Sequence, residues 1–201
     1  MGKIKKDIRD LSKDAGSKQK AVANAESWFL KSKSDSKNKE VSATSDKFMP
    51  GKIYVFEYRM PKGIETLEWW DSAPVVLALD QSPTGNDCGI NLNILPVLVK
   101  EELLDFVYEK MQGQIKSNSA GKRAMNAKRQ GLLKLTYKGA SLFLKQYGYD
   151  FAIRQYITKL KSRQAVVSYE NWAKIVLCDF ANLKGINPNT LKEQFRKHLK
   201  K

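Results

Sequence analysis

The sequence predicts an α+β protein: a small, strongly curved β-sheet or SH3-like barrel with flanking helices and an N-terminal helical arm. Two patterns predict it. Between residues 48 and 100, three short β-rich segments are closed off by glycine and proline turns. Before residue 32 and after residue 100, apolar residues recur at helical spacing instead. The expected organisation is a helical arm over 1–31, a flexible linker over 32–47, and a single α+β domain over 48–201. That domain divides into a β-rich core (48–100) and a helical, basic part (101–201).

In the arm, Ile4, Ile8 and Leu11 share one helical stripe, and Ala15-Gly16-Ser17 breaks it. A second pattern from Ala21 ends in Trp28-Phe29-Leu30, an apolar tip that needs burial on the protein's own core or on a neighbour. These three residues are therefore candidates for partner binding. Residues 32–46 are rich in Ser, Lys and Asp without periodicity, which reads as a linker. From Lys52 to Arg59, Ile53/Val55 alternate with Tyr54/Phe56/Tyr58, a strand whose larger set is expected to fill the core. Pro74 to Asp80 is a continuous apolar run of strand length, buried on both faces. Cys88 to Pro96 alternates as a third strand after the loop Ser82 to Asp87.

Glu101 to Met111 carries Leu103, Leu104, Val107 and Tyr108 at helical spacing, with two glutamates at the N-terminal end of the dipole. Helices are also expected over Gly139–Tyr147, Tyr149–Lys161, Glu170–Leu177 and Asn189–Lys200, with a return strand at Ala165–Tyr169. The segment 113–131 is weakly patterned and reads as a helix laid on phosphate or as an exposed loop.

Charge is segregated along the chain. The formal total is +15, yet residues 1–47 contribute +5, residues 48–112 contribute −5, and residues 113–201 contribute +15. Seven basic residues between 113 and 138 (Lys116, Lys122, Arg123, Lys128, Arg129, Lys134, Lys138) face no carboxylate in that stretch. Unpaired like charges repel one another, and a phosphate backbone relieves that repulsion by releasing condensed counterions. With Arg154, Lys161 and Arg163 added, these ten residues form the candidate nucleic-acid contact, directed at phosphate rather than base edges. The competing reading is that they meet acidic surfaces of other proteins.

Several classes are disfavoured. No apolar run approaches the roughly 20 residues that span a bilayer, so no membrane partner is expected. Two cysteines (Cys88, Cys178) and one histidine (His198) offer little for a zinc site or a Ser-His or Cys-His hydrolase. No cofactor, metal or catalytic residue is expected. Asn91 beside Gly89 reads as a turn or buried hydrogen-bonding residue. Glu57, Asp71, Asp80 and Asp87 read as turn or solvated carboxylates rather than as metal ligands. Trp69-Trp70, Tyr54, Tyr58 and Trp172 read as core rather than as a base-stacking surface.

The strand Gly51-Lys52-Ile53-Tyr54-Val55-Phe56-Glu57-Tyr58 is followed by Pro61-Lys62, Thr66-Leu67-Glu68-Trp69-Trp70-Asp71, Pro74-Val75-Val76 and Gly89-Ile90-Asn91-Leu92-Asn93-Ile94-Leu95-Pro96. Ile153-Arg154-Gln155-Tyr156, Lys161-Ser162-Arg163 and Tyr169-Glu170-Asn171-Trp172 complete the pattern. Together, over roughly 50–175, these resemble a small virion-associated protein family of large contractile-tailed phages, DNA end protectors among them. The chain departs from that pattern at Ser72-Ala73, where the family has a basic residue before the proline, and at Asn93, where the family has a histidine. The resemblance implies a non-enzymatic virion protein that binds DNA or its ends in head completion and genome packaging. It would act in the virion, or in the host cytoplasm during assembly, as part of a larger assembly. The alternative it allows is a structural component of baseplate, neck or tail that binds neighbouring subunits. A weaker resemblance, to PemK-like toxin ribonucleases, rests on Pro50-Gly51-Lys52-Ile53 and Pro74-Val75-Val76-Leu77. That chemistry needs a base and a cation beside the scissile phosphate, and Arg59 is the one well-placed cation.

Overall fold

The computed structural model describes residues 2–34, 41–43, 47–59, 71–80, 85–117 and 137–180. Two helices open the chain. α1 (Lys3–Asp14) turns Ile4 and Ile8 inward and ends where Gly16 takes φ +77°, a left-handed conformation that a side chain disfavours. The first amides of α1 are capped from another element: Asp105 accepts from Ile4 N at 2.7 Å and from Lys5 N at 3.4 Å. α2 (Lys18–Ser34) starts with Ser17 Oγ accepting from Lys20 N at 3.2 Å. It buries Ala21, Ala25 and Phe29, spaced i, i+4 and i+8 along one face.

The sheet has six strands: β1 (Val41–Ala43), β2 (Ile53–Tyr58), β3 (Val75–Ala78), β4 (Asp87–Asn91), β5 (Ile153–Tyr156) and β6 (Lys161–Val167). Their spatial order is β1-β6-β2-β3-β4-β5, and every pairing is antiparallel. β1 and β5 stand at the two ends and do not pair, so the sheet is open rather than a closed barrel. It is nonetheless strongly curled. Rings of Phe56 and Tyr58 on β2 meet Tyr156 on β5 with centroids 5.2 Å apart in each case, although two strands lie between.

The curl gives the sheet two unlike buried faces. On one, Ile53, Val75, Leu77, Cys88 and Ile90 join the core that α1, α2, α3 (Val97–Ser117), α4 (Tyr137–Tyr147) and α5 (Trp172–Leu177) cover. On the other, Tyr54, Phe56, Tyr58 and Tyr156 close around Phe48 over Val76 and Ala78. Both alternating sets of β2 are thus interior, each on its own face. Gly89 is required on the concave side: a Cβ there would stand 2.2 Å from Val76 Cγ1 and 2.8 Å from the Leu77 carbonyl oxygen.

Other elements differ from the sequence reading. Tyr149–Lys161 is not one helix: two 3₁₀ turns (Asp150–Ala152 and Thr158–Leu160) flank strand β5. The third strand stops at Asn91, whose side chain accepts from Asn93 N at 3.0 Å and opens a 3₁₀ turn, Leu92–Ile94. α3 begins four residues earlier than expected, at Val97 directly after Pro96. Segment 32–47 holds the last turn of α2 and strand β1, which pairs with β6. The helix expected at 189–200, the pair Trp69-Trp70 and most of the 113–131 segment lie outside the described residues.

Candidate nucleic-acid interface

The arm residues come first. Phe29 is buried in the protein's own interior, its ring edge-on to Phe180 with centroids 4.9 Å apart. Trp28 packs partly on the same core and carries the Lys174 ammonium over its ring at 4.9 Å. Leu30 alone of the three stays open, 55% exposed. The apolar tip is therefore satisfied largely within this chain, which corrects the expectation that Phe29 meets a partner.

The ten basic candidates separate into distinct environments. Lys122, Arg123, Lys128, Arg129 and Lys134 lie outside the described residues, and Lys116 is placed only as backbone near the C-terminal end of α3. Lys138 is exposed in the first turn of α4. Arg154 lies on β5 at one end of the sheet, partly buried. Burial lowers its guanidinium pKa, opposed by the fields of Tyr156 and Asp71. Tyr156 is pushed well above the ordinary tyrosine value by burial, and its hydroxyl has no hydrogen-bond partner among the described residues.

Lys161 is a core residue, a correction to its reading as a phosphate contact. Its side chain is 2% exposed, with Nζ 2.5 Å from Asp87 Oδ2, 2.8 Å from Gln164 Oε1 and 4.1 Å above the centre of the Phe48 ring. Asp87 completes the network by accepting from Phe48 N at 2.9 Å and Thr158 Oγ1 at 3.1 Å. A buried ammonium and carboxylate tolerate the interior only when each is paired and hydrogen-bonded in this way. Nothing in local sequence signals it, because the partners are 74 residues apart.

Arg163 is the opposite case: its side chain is 81% exposed, and Nη1 lies 3.0 Å from Glu57 Oε1. It occupies a β-bulge. Val55 pairs with Ala165 and Glu57 with Ser162, so Arg163 and Gln164 together face the single residue Phe56. Arg163 takes φ +50° there, alone among the described non-glycine residues. Arg59, at the end of β2, is exposed nearby, and its backbone N–H donates to Leu160 O at 3.0 Å. Sequence reasoning weighed Arg59 only as a possible nuclease cation. A groove of about 330 Å³ opens beside these groups, lined by Glu57, Tyr58, Arg59, Ser72, Ala73 and Ser162.

The carboxylates act as structural acceptors. Asp71 accepts from Asn91 Nδ2 at 2.8 Å and Asn93 Nδ2 at 2.6 Å, tying the segment before β3 to the end of β4. Asn91 is buried, as its reading required. Among the described residues no three His, Cys, Asp or Glu side chains gather as a metal site would need, and no helix is long and apolar enough to cross a membrane.

Comparison with known proteins gives one family. The model described as Phage T4 terminal DNA protecting protein matches residues 1–187. No curated protein and no solved structure matches the chain.

Proposed function

The chain belongs to the phage T4 terminal DNA protecting protein family, and from that premise we propose that it binds DNA ends with low sequence preference, through phosphate contacts, during head completion and genome packaging. The observation that carries this reading is the segregation of charge, with +15 concentrated in residues 113–201. Lys116, Lys122, Arg123, Lys128, Arg129, Lys134 and Lys138 supply a stretch without acidic residues, and Arg154 and Arg163 add cations on two separate strands. Such contacts position a protein on DNA without reading bases. The role is one of binding and covering, with no catalytic step. It places the protein in the virion or, during assembly, in the host cytoplasm.

The test is retention on duplex DNA across a salt gradient. Each phosphate contact contributes about −0.9 to the slope of log K against log salt. Changing Lys122, Arg123, Lys128 and Arg129 together to Ser should flatten that slope by up to about 3.6. An unchanged slope would remove this segment from the contact. A second reading, seating on other virion proteins, is favoured by the open apolar side chains Leu30, Leu98 and Leu142. It requires stoichiometric co-purification with particles and little affinity for DNA.

A further inference from the structure

The bulge at Arg163 holds a strained backbone. A residue with a Cβ is disfavoured at φ +50°, and such outliers persist where the surrounding fold or the function requires them. Here the strained residue projects an exposed guanidinium onto Glu57, itself a wall of the groove between β2, β6 and the segment leading into β3. Arg59 stands on the same rim. Ser72 and Ser162 add hydroxyls, and buried Tyr58 and Ala73 form the floor.

We propose that this groove receives the terminal phosphate of a DNA strand, gripped by Arg59 and Arg163. The inference rests on the end-binding reading above and gives it a location. Size argues for an end. At about 330 Å³, the groove sits at the bottom of the ~300–1,000 Å³ range of small-ligand sites. It admits the last phosphate and sugar of a strand, whereas an uninterrupted duplex offers its phosphates on a convex backbone and cannot enter. Charge argues the same way. A terminal phosphomonoester carries close to two negative charges near neutral pH, against one for each internal diester. Guanidinium groups match phosphate oxygens in bidentate fashion. The Arg163–Glu57 pair is solvent-exposed and hence weak, so a dianion displaces Glu57 from Arg163 more readily than a monoanion does.

The experiment uses the full chain and four short duplexes of one sequence: 5′-phosphorylated, 3′-phosphorylated, hydroxyl-terminated, and closed at both ends by hairpin loops. At constant salt, a phosphorylated end should bind roughly tenfold tighter than the closed duplex, and the two phosphorylated probes tell which strand is held. The double variant Arg59→Ser/Arg163→Gly should bring all four probes to parity. Glycine suits the left-handed backbone at 163, so folding should be retained, checked by thermal melting. Glu57→Gln should tighten binding of phosphorylated ends severalfold without touching either arginine. If the double variant keeps the preference, or Glu57→Gln leaves it unchanged, the groove is not the site. If the unaltered protein binds the three open-ended duplexes alike and more tightly than the closed one, the groove proposal falls and the end-binding reading stands; if it binds all four equally, both fall. If it binds none, both fall.

Discussion

Among the described residues a lysine is buried on each side of the sheet, and the two are treated differently. On the concave aromatic face, Lys161 has a carboxylate partner, an amide oxygen and a π-face within reach. On the helical face, Lys100 of α3 is just as enclosed, yet its Nζ donates at 2.6 Å to the Cys178 carbonyl and lies 5.0 Å from the centre of the Phe180 ring. Glu26 and Asp179 act on it only through their fields, and burial lowers its pKa from the ordinary 10.5 to about 8. A charge inside a protein thus has two stable arrangements: full pairing, or a weakened hold on its proton.

The widest separation between the two should come from Asp87→Ala. It strands the Lys161 ammonium and leaves Phe48 N and Thr158 Oγ1 without their acceptor, at a cost of about 3–5 kcal/mol in denaturant unfolding. Adding Lys161→Met to that variant should recover a large part of the loss. If the single variant unfolds with the wild-type midpoint, the pair does not hold this face.

Lys100→Met should act in the other direction, stabilising by about 1–2 kcal/mol at pH 7 once the lost bond to the Cys178 carbonyl is allowed for. Its clearer signature is in pH. The unfolded chain keeps the lysine proton up to about 10.5, while the folded one releases it near 8. Between those values the unfolded state binds more protons, so stability rises with pH, and the methionine variant should lack that rise. Cys88 and Cys178, pushed by burial from 9.0 up to about 11 and about 12, have the opposite sign and lower stability above pH 9. The lysine contribution is therefore read most cleanly between pH 8 and 9.

The smallest effect concerns how the N-terminal helices join the helical face. Asp105→Ala removes the acceptor for the first amides of α1 and should cost about 1 kcal/mol. The melting temperature should fall slightly, and exchange protection should be lost first at Ile4 and Lys5.

The sequence made the two faces legible unevenly. The period-two alternation of Ile53 to Tyr58, the apolar run at Val75–Ala78 and the stripe Ile4/Ile8 are strong because burial on a known face repeats within a few residues. β5 was hidden because Tyr149, Ile153, Tyr156 and Leu160 fall at spacings that also suit a helix, and only pairing with β4 resolves them. β1 is three residues of a polar segment, held by its neighbour β6 rather than by its own pattern. At the candidate site, cationic character was readable from composition, but partnership was not. Lys161 and Arg163, two residues apart, differ in accessibility because a bulge and a distant aspartate intervene.

The two thiols give the helical face an internal stopwatch. Cys88 and Cys178 are both free and enclosed, one on a central strand and the other just past the final turn of α5. An alkylating reagent can reach either only when the surrounding structure opens, so the rate of labelling at each sulfur measures how often that neighbourhood comes apart. Because the backbone of Cys178 is the anchor point for Lys100, the two clocks are wired to different springs: one follows the sheet, the other the latch between α3 and the end of the helical layer.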